Sequence, residues 1–408
     1  MKWEKVKIKE ICSEIISGGT PKSNILEFYY PKEIPWLKTK EVNYCQIYDT
    51  EMYISKKGLE KSSAKLLPVN SVIVAMYGQG NTAGRVAINK IPLCTNQACC
   101  NLIINNKIAD YKYVYYSLVI LYDKLVSLKN GGAQPNLNVG IIKDIEIPLP
   151  KLQMQKKITS ILSAYDDLVE NNQKQIKLLE EAAQRLYKEW FVDLRFPGYE
   201  NTPIIDGVPE GWNHIYLENV ISKITTGLNP RKNFVLGNGN NYYVTIKNMR
   251  NNNVYLDEKC DRIDDEAIIK INKRSNLQIG DILFSGIGTM GRVYLVNIPT
   301  NNWNVSESVF TLRANNKISK ELLYLILLSD NVQKYCDQHA HGVAQRGIRM
   351  ADLKAYKFVL PSKNIIENFT KIIKPIINKI QNLNVQIVDA TKARDRLLTK
   401  LMSGEIEV

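Results

Sequence analysis

Two glycine-rich stretches hold the residues whose types and spacing could do chemistry. Gly286-Ile-Gly288-Thr-Met-Gly291 has a literal G-x-G-x-x-G spacing and follows the apolar run Asp281-Ile-Leu-Phe-Ser285. In a dinucleotide-binding loop this spacing lets the backbone approach a pyrophosphate that sits on the N-terminus of the next helix. Here the following residues are Arg292-Val-Tyr-Leu-Val-Asn297, which have strand composition. The counterpart Gly78-Gln-Gly80-Asn-Thr-Ala-Gly84 breaks the spacing. Both stretches therefore read as β-hairpin loops whose glycines supply positive φ. An arginine follows each at once, Arg85 and Arg292. Such a loop can bring its arginine close to DNA; equally, the arginine can pair with a carboxylate inside its own globule.

The other reactive side chains form no catalytic set. The seven cysteines (Cys12, Cys45, Cys94, Cys99, Cys100, Cys260 and Cys336) are odd in number, irregular in spacing and without a C-x-x-C pair. They read as reduced, partly buried thiols. His214, His339 and His341 lack zinc-site spacing, so neither a metal nor a cofactor is expected on this chain. There is no G-x-x-x-x-G-K-[ST] phosphate loop and no G-x-S-x-G elbow. There is no Asn/Asp-Pro-Pro-aromatic tetrapeptide of the kind that serves amino-methyl transfer to adenine, and no Glu-x-Lys of a common nuclease core. The reading is a non-catalytic protein.

The elements that position these residues are arranged as a long repeat. The chain has 408 residues, enough for two or three domains, and 45% of them are apolar, which excludes a disordered chain or a collagen-like fibre. Trp3-Glu-Lys-Val-Lys-Ile-Lys-Glu recurs loosely from Trp212, an offset of 209. Asn81-Thr-Ala-Gly-Arg-Val86 recurs as Gly288-Thr-Met-Gly-Arg-Val293, an offset of 207. Ala133-Gln134, Ile145-Glu-Ile-Pro-Leu-Pro150 and Ala182-Ala-Gln-Arg-Leu186 each recur at 211. The first part of each copy (1–150 and 213–361) has short apolar runs, such as Ser71 to Tyr77 and Asp281 to Ser285, broken by turn residues. Each also has a helical stretch, Tyr111 to Leu128 and Lys320 to Cys336. This predicts an α+β globule, mostly β.

The second part of each copy is a long helix. In 151–193 the line runs Ile158, Leu162, Tyr165, Val169, Asn172, Ile176, Leu179, Ala183, Leu186 and Trp190. In 362–402 it runs Phe369, Ile373, Ile376, Ile380, Leu383, Ile387, Ala390, Arg394, Leu397 and Leu401, and the tail follows to 408. Steps of four and three give the 3.5-residue period of a coiled coil, and the two helices are expected to pack antiparallel on each other. A helix of about 40 residues is about 60 Å long, with the globules expected at opposite ends of the rod. Asn172 and Arg394 interrupt the seams and either set register or face solvent, and Pro375 is expected to kink or loosen the second helix. A Pro/Gly-rich connector lies within 194–212.

The net charge is +13, with +6 in each globule, +5 in the second helix over 362–402, none in the first helix, and an acidic connector and tail. Equal basic excess on two globules suits a phosphate backbone contacted at two places. The charged N-terminus, MKWEKVKIKE, does not suit a signal peptide, and no apolar run approaches the ~18 residues of a membrane span. The expected setting is cytoplasmic, with no membrane partner.

Taken together, the pattern resembles a specificity subunit of a type I restriction–modification enzyme over the full chain. The features that carry the resemblance are Val208-Pro-Glu-Gly-Trp212, the Gly131-Gly-Ala-Gln-Pro-Asn-Leu137 loop, and Ile145 to Pro150 running into Leu152-Gln-Met-Gln155. The first helix then ends Arg185-Leu-Tyr-Lys-Glu-Trp-Phe191, and the chain closes Leu397-Leu-Thr-Lys-Leu-Met-Ser-Gly-Glu-Ile406. The resemblance implies that 1–150 and 213–361 are target-recognition domains, each reading one half of a split double-stranded DNA site. It implies that helices 151–193 and 362–408 set the spacing and dock two adenine-N6 methyltransferase subunits. S-adenosylmethionine, ATP and Mg would then belong to partner subunits, restriction subunits included. The second copy departs from the first at His341-Gly-Val-Ala-Gln-Arg346, at Pro375 and in lacking a Trp-Phe end, so the site should be asymmetric.

Arg or Lys suits guanine, Asn or Gln suits adenine, and Lys, Arg and Thr suit phosphate. On this basis the expected DNA contacts are Lys38, Lys40, Gln79, Asn81, Arg85 and Gln134 in the first globule. In the second they are Lys247, Asn248, Arg250, Thr289, Arg292, Arg346 and Arg349. Rival readings are a coiled-coil protein scaffold, a stand-alone DNA-binding repressor and a nucleotide-using enzyme.

Overall fold

The computed structural model describes residues 3–129, 136–342 and 346–408. The chain divides into two compact units, Met1–Glu170 with Val388–Val408, and Asn171–Ile387. Each unit thus combines one globule with a piece of both long helices.

In the first unit a five-stranded sheet has the order Cys12–Ser17, Cys99–Ile104, Val72–Ala75, Val86–Asn89, Cys45–Ile47. Its pairs are antiparallel except the last, which is parallel. The central strand serves two cores by alternation. Val72 and Val74 pack with Tyr113, Leu118 and Leu125, while Ile73 and Ala75 pack with Leu37, Ala87 and Leu93. Burial on both faces is why this strand reads as an unbroken apolar run. A second sheet joins Met52–Ile54, Ile34–Leu37 and Cys94–Thr95, and Lys5–Lys7 pairs with Glu146–Pro148.

The second unit has the same plan. Its larger sheet runs Ile221–Thr226, Val309–Ala314, Ile282–Ser285, Val293–Leu295. Ile282 and Phe284 face one core and Leu283 the other. Its smaller sheet runs Asp261–Ile263, Asn241–Val244, Trp303–Val305, and Asn213–Tyr216 pairs with Lys357–Leu360. The sequence repeat is thus also a repeat of topology.

The two helical stretches differ from expectation, since each is a pair of helices. Tyr111–Ile120 is followed by Tyr122–Ser127, and Lys320–Leu328 by Asp330–Gln338. In the second pair Ser329 is extended, and its hydroxyl accepts from the Val332 N–H to cap the new helix.

The long helices span Leu152–Phe191 and Lys363–Ser403, the latter continuing through an exposed Pro375. In the first unit Ile158 and Leu162 of the first helix are buried in one core with Leu398, Leu401 and Met402 of the second, flanked by Leu397. Val169 is half-buried. Arg394 Nη1 meets Asp166 Oδ1 at 2.6 Å and Lys157 Nζ donates to the Val408 carbonyl at 3.3 Å, so these segments run antiparallel. In the second unit Ala183, Tyr187 and Trp190 share a core with Phe369, Ile373 and Ile377, with Leu186 and Ile376 packed against it. Leu383 is buried, and Ile176, Leu179, Ile380 and Ile387 are half-buried. Asn172 Nδ2 donates to Gln386 Oε1 at 3.1 Å, while Phe369 lies 5.4 Å from Trp190 and 4.7 Å from Phe191, ring to ring. These segments too are antiparallel. The two polar interruptions, Asn172 and Arg394, each bond to the opposite helix.

Candidate nucleic-acid interface

In the first unit, strands Val72–Ala75 and Val86–Asn89 form a hairpin whose loop is the glycine-rich stretch. Gly84 is left-handed (φ 91), and a Cβ there would touch the Tyr122 ring at 3.4 Å. The Tyr122 hydroxyl donates to the Asn81 carbonyl at 3.0 Å, so the short helix Tyr122–Ser127 holds the loop from one side. On another side lies the turn after strand Ile34–Leu37, a single 3-10 turn at Thr39–Glu41. Glu41 closes it by accepting from the Lys38 N–H at 3.0 Å. Arg85 ties turn to hairpin, its Nη1 donating to Asn43 Oδ1 at 2.9 Å. The segment after residue 135 joins through Leu137, whose N–H donates to the Met76 carbonyl at 3.0 Å.

The second unit builds the same three-part surface. Its hairpin pairs Ile282–Ser285 with Val293–Leu295, and a strand follows the loop where a dinucleotide fold would place a helix. Gly291 is left-handed (φ 80), and a Cβ there would lie 1.8 Å from Gln333 Oε1, in the helix Asp330–Gln338. The turn is Ile246–Asn248, where buried Asn248 accepts from the Thr245 N–H at 2.9 Å and hydroxyl at 3.0 Å. Arg292 Nη1 donates to the carbonyls of Ile246 at 2.8 Å and Met249 at 2.6 Å. The third part joins through Gly288 N–H to the Arg346 carbonyl and Ile348 N–H to the Gly286 carbonyl, both 2.8 Å.

The expected contact residues fall into three groups. Gln79, Asn81, Lys247, Thr289, Arg346 and Arg349 are exposed on the loops or beside them. Arg346 Nη2 bonds the Asp337 carbonyl at 2.8 Å, and Arg349 stands before the helix Met350–Lys354. Lys38, Lys40 and Arg250 are surface cations with neighbours. Lys38 lies 5.4 Å from the centre of the Trp36 ring, Lys40 pairs with Glu51, and Arg250 lies 4.7 Å from the centre of the Tyr255 ring and 3.5 Å from Asp257. The hydrogen bond from Lys40 to Glu51 holds that ammonium above its ordinary range. Arg292 and Asn248 turn inward, while half-exposed Arg85 is held to an exposed neighbour. Asn248 caps its turn, Arg85 bonds an amide and Arg292 bonds two backbone carbonyls. Gln134 lies outside the described residues.

A family model described as a type I restriction modification DNA specificity domain matches the chain twice, over residues 1–181 and 209–391. The chain belongs to this family. It is a type I restriction–modification specificity subunit with two copies of the domain. It is 28% identical to the type I restriction enzyme MjaIX specificity subunit of Methanocaldococcus jannaschii, over all of this chain and 94% of the relative. It is 23% identical to the HindI specificity subunit of Haemophilus influenzae, over 70% of this chain and 74% of the relative. The crystal structure of the S subunit from M. genitalium has the same fold, with a TM-score of 0.63 at 17% identity, covering 98% of this chain and 96% of that one.

Sequence reasoning missed one residue of the specificity subunit's first surface. Asn43 is exposed beside the hairpin and bonded to Arg85. The repeat carried its signal, since Asn43 and Arg250 are separated by 207 residues, as are Arg85 and Arg292. Among the described residues no group of three or more His, Cys, Asp or Glu side chains could hold a metal ion, and no helix is long and apolar enough to cross a membrane.

Proposed function

We propose that this specificity subunit reads double-stranded DNA with two surfaces, each made of a glycine hairpin, a 3-10 turn and the segment before a short helix. One observation carries the reading. The same backbone arrangement is built twice, and the exposed side chains it presents differ between the copies. Equal scaffolds with unequal side chains suit two unequal half-sites, hence a split asymmetric site. Exposed Gln79, Asn81, Lys247, Arg250, Thr289, Arg346 and Arg349, with Lys38, Lys40 and Gln134, supply base and phosphate contacts. Arg85, Arg292 and Asn248 hold the turns that present them. The recognition domains are 1–150 and 213–361, and the 194–212 linker leads from the first long helix into the second domain. The helices of 151–193 and 362–408 set the spacing and dock two adenine-N6 methyltransferase subunits, which restriction subunits join.

In this reading the chain is cytoplasmic, has no catalysis and holds no cofactor. S-adenosylmethionine, ATP and Mg belong to the partners. The test is a genome-wide map of N6-methyladenine in cells expressing the chain with and without its modification subunit. Methylation at one split asymmetric motif that requires both proteins is the expected result. No motif, with the complex shown to form, favours a protein scaffold or a stand-alone repressor instead.

A further inference from the structure

We infer that Asn43 and Arg250 are equivalent specificity-determining residues, Asn43 reading an adenine in one half-site and Arg250 a guanine in the other. This rests on the two-surface reading above and names, within it, one base position in each half-site.

The equivalence is structural. In each unit a strand, Ile34–Leu37 or Asn241–Val244, runs into a 3-10 turn. The last residue of that turn, Glu41 or Asn248, accepts from the N–H three residues back. Next comes a side chain sunk into the core, Val42 or Met249. Then comes an exposed side chain, Asn43 or Arg250. The residue after it is left-handed in both, Tyr44 at φ 54 and Asn251 at φ 50. Left-handed backbone is unfavourable for a non-glycine residue, above all one as bulky as tyrosine, and such residues cluster at functional sites. Two copies of divergent sequence keep this conformation at the same place. In the first unit Asn43 stands between buried Val42 and left-handed Tyr44; in the second Arg250 stands between buried Met249 and the left-handed pair Asn251-Asn252 that turns a short hairpin of Met249–Arg250 with Asn253–Val254.

The chemistry of the two residues differs in a way DNA distinguishes. In the major groove an asparagine amide matches adenine N6 and N7, and a guanidinium matches guanine O6 and N7. Both side chains are oriented in advance. Arg85 has only donors, so its bond to Asn43 decides which end of the amide is oxygen. A free lone pair on Oδ1 and both Nδ2 hydrogens then suit the adenine edge. Arg250 lies over the Tyr255 ring with Asp257 at its edge, which limits the guanidinium plane. Pre-orientation reduces the entropy lost on binding.

The test uses the full chain with its modification subunits. Asn43→Arg and Arg250→Asn are compared with wild type by mapping N6-methyladenine motifs. Asn43→Arg should change one position of one half-site from A towards G, and Arg250→Asn one position of the other from G towards A. Preference for the original base should fall about tenfold to a hundredfold. Asn43→Ala and Arg250→Ala, which offer no hydrogen bond to a base edge, should relax the same positions more than any other, with Asn43→Ala adding a smaller even loss because it also frees Arg85 from the turn. Wild-type motifs and rates in all four variants overturn the inference, as does an even loss over a half-site with no position singled out. A wild-type chain that yields no split motif at all refutes the parent reading, and this inference with it.

Discussion

Replacing Arg292 with alanine separates two roles open to an arginine beside DNA, touching phosphate or holding the part that touches bases. Its Nη1 donates to the carbonyls of Ile246 at 2.8 Å and Met249 at 2.6 Å and so ties the turn to the hairpin. The N–H of residue 292 keeps its bond to Ser285 Oγ at 2.8 Å in the variant, so the hairpin stays closed. Hydrogen bonds from a charged donor contribute about 1.5–3 kcal/mol each when buried. The side chain is half-exposed, which brings the pair to about 2 kcal/mol after solvent screening. At about 1.4 kcal/mol per factor of ten, the held turn loses roughly thirtyfold in population relative to the loose one. The apparent Kd scales inversely with the competent fraction, so affinity for the cognate duplex falls by at most that factor. The assay is equilibrium binding of the assembled complex at several salt concentrations, to cognate duplex, to duplex altered in one half-site and to unrelated DNA. The expected loss appears on DNA with an intact second half-site and is absent where that half-site is altered. The slope of log K against log salt should not change. An equal loss on every DNA, with a slope shallower by about 0.9, is the mark of a missing phosphate contact and would refute the reasoning.

Two further outcomes concern the scaffold. Asp166→Ala removes the acceptor of the Tyr116 hydroxyl at 2.5 Å and the partner of Arg394 at 2.6 Å, at a site where the two charged side chains are 20% and 25% exposed. It should destabilise the first unit by about 2–3 kcal/mol in urea unfolding and be non-additive with Arg394→Ala; strict additivity counts against the network. Burial pushes the hydroxyls of Tyr113, Tyr187 and Tyr324 above the ordinary phenol value, and that of Tyr294 up to about 12. Held neutral in the fold, they contribute stability that is complete below the unfolded value of about 10 and is lost as pH rises past it. Ultraviolet titration should therefore show some tyrosines ionising only with cooperative unfolding, whereas one smooth step near pH 10 for all 22 would contradict it.

Much of the site was legible because hairpins announce themselves locally. Strand composition after Gly291 was enough to exclude a dinucleotide fold, and the structure has a strand there. The break at Ser329 was not legible. Helical periodicity continues across it, and only the cap to Val332 shows that one helix ends and another begins. The bonds of Arg292 were equally hidden. A carboxylate partner would have been a residue to look for, whereas backbone carbonyls occur at every position and leave no mark in composition.

The sequence by itself determined what depends on period and order. These are the repeat, the buried strands, the 3.5-residue seams of the long helices and the equal charge of the two globules. Such features are short-range or cumulative, and each residue type reports its own preference. Tertiary structure alone decided which distant residues meet. Arg85 and Asn43 are 42 positions apart, and Arg394 and Asp166 are 228 apart. Those distances close only when strand pairing and helix packing bring the partners together, because the direction of a side chain belongs to the folded backbone rather than to the residue.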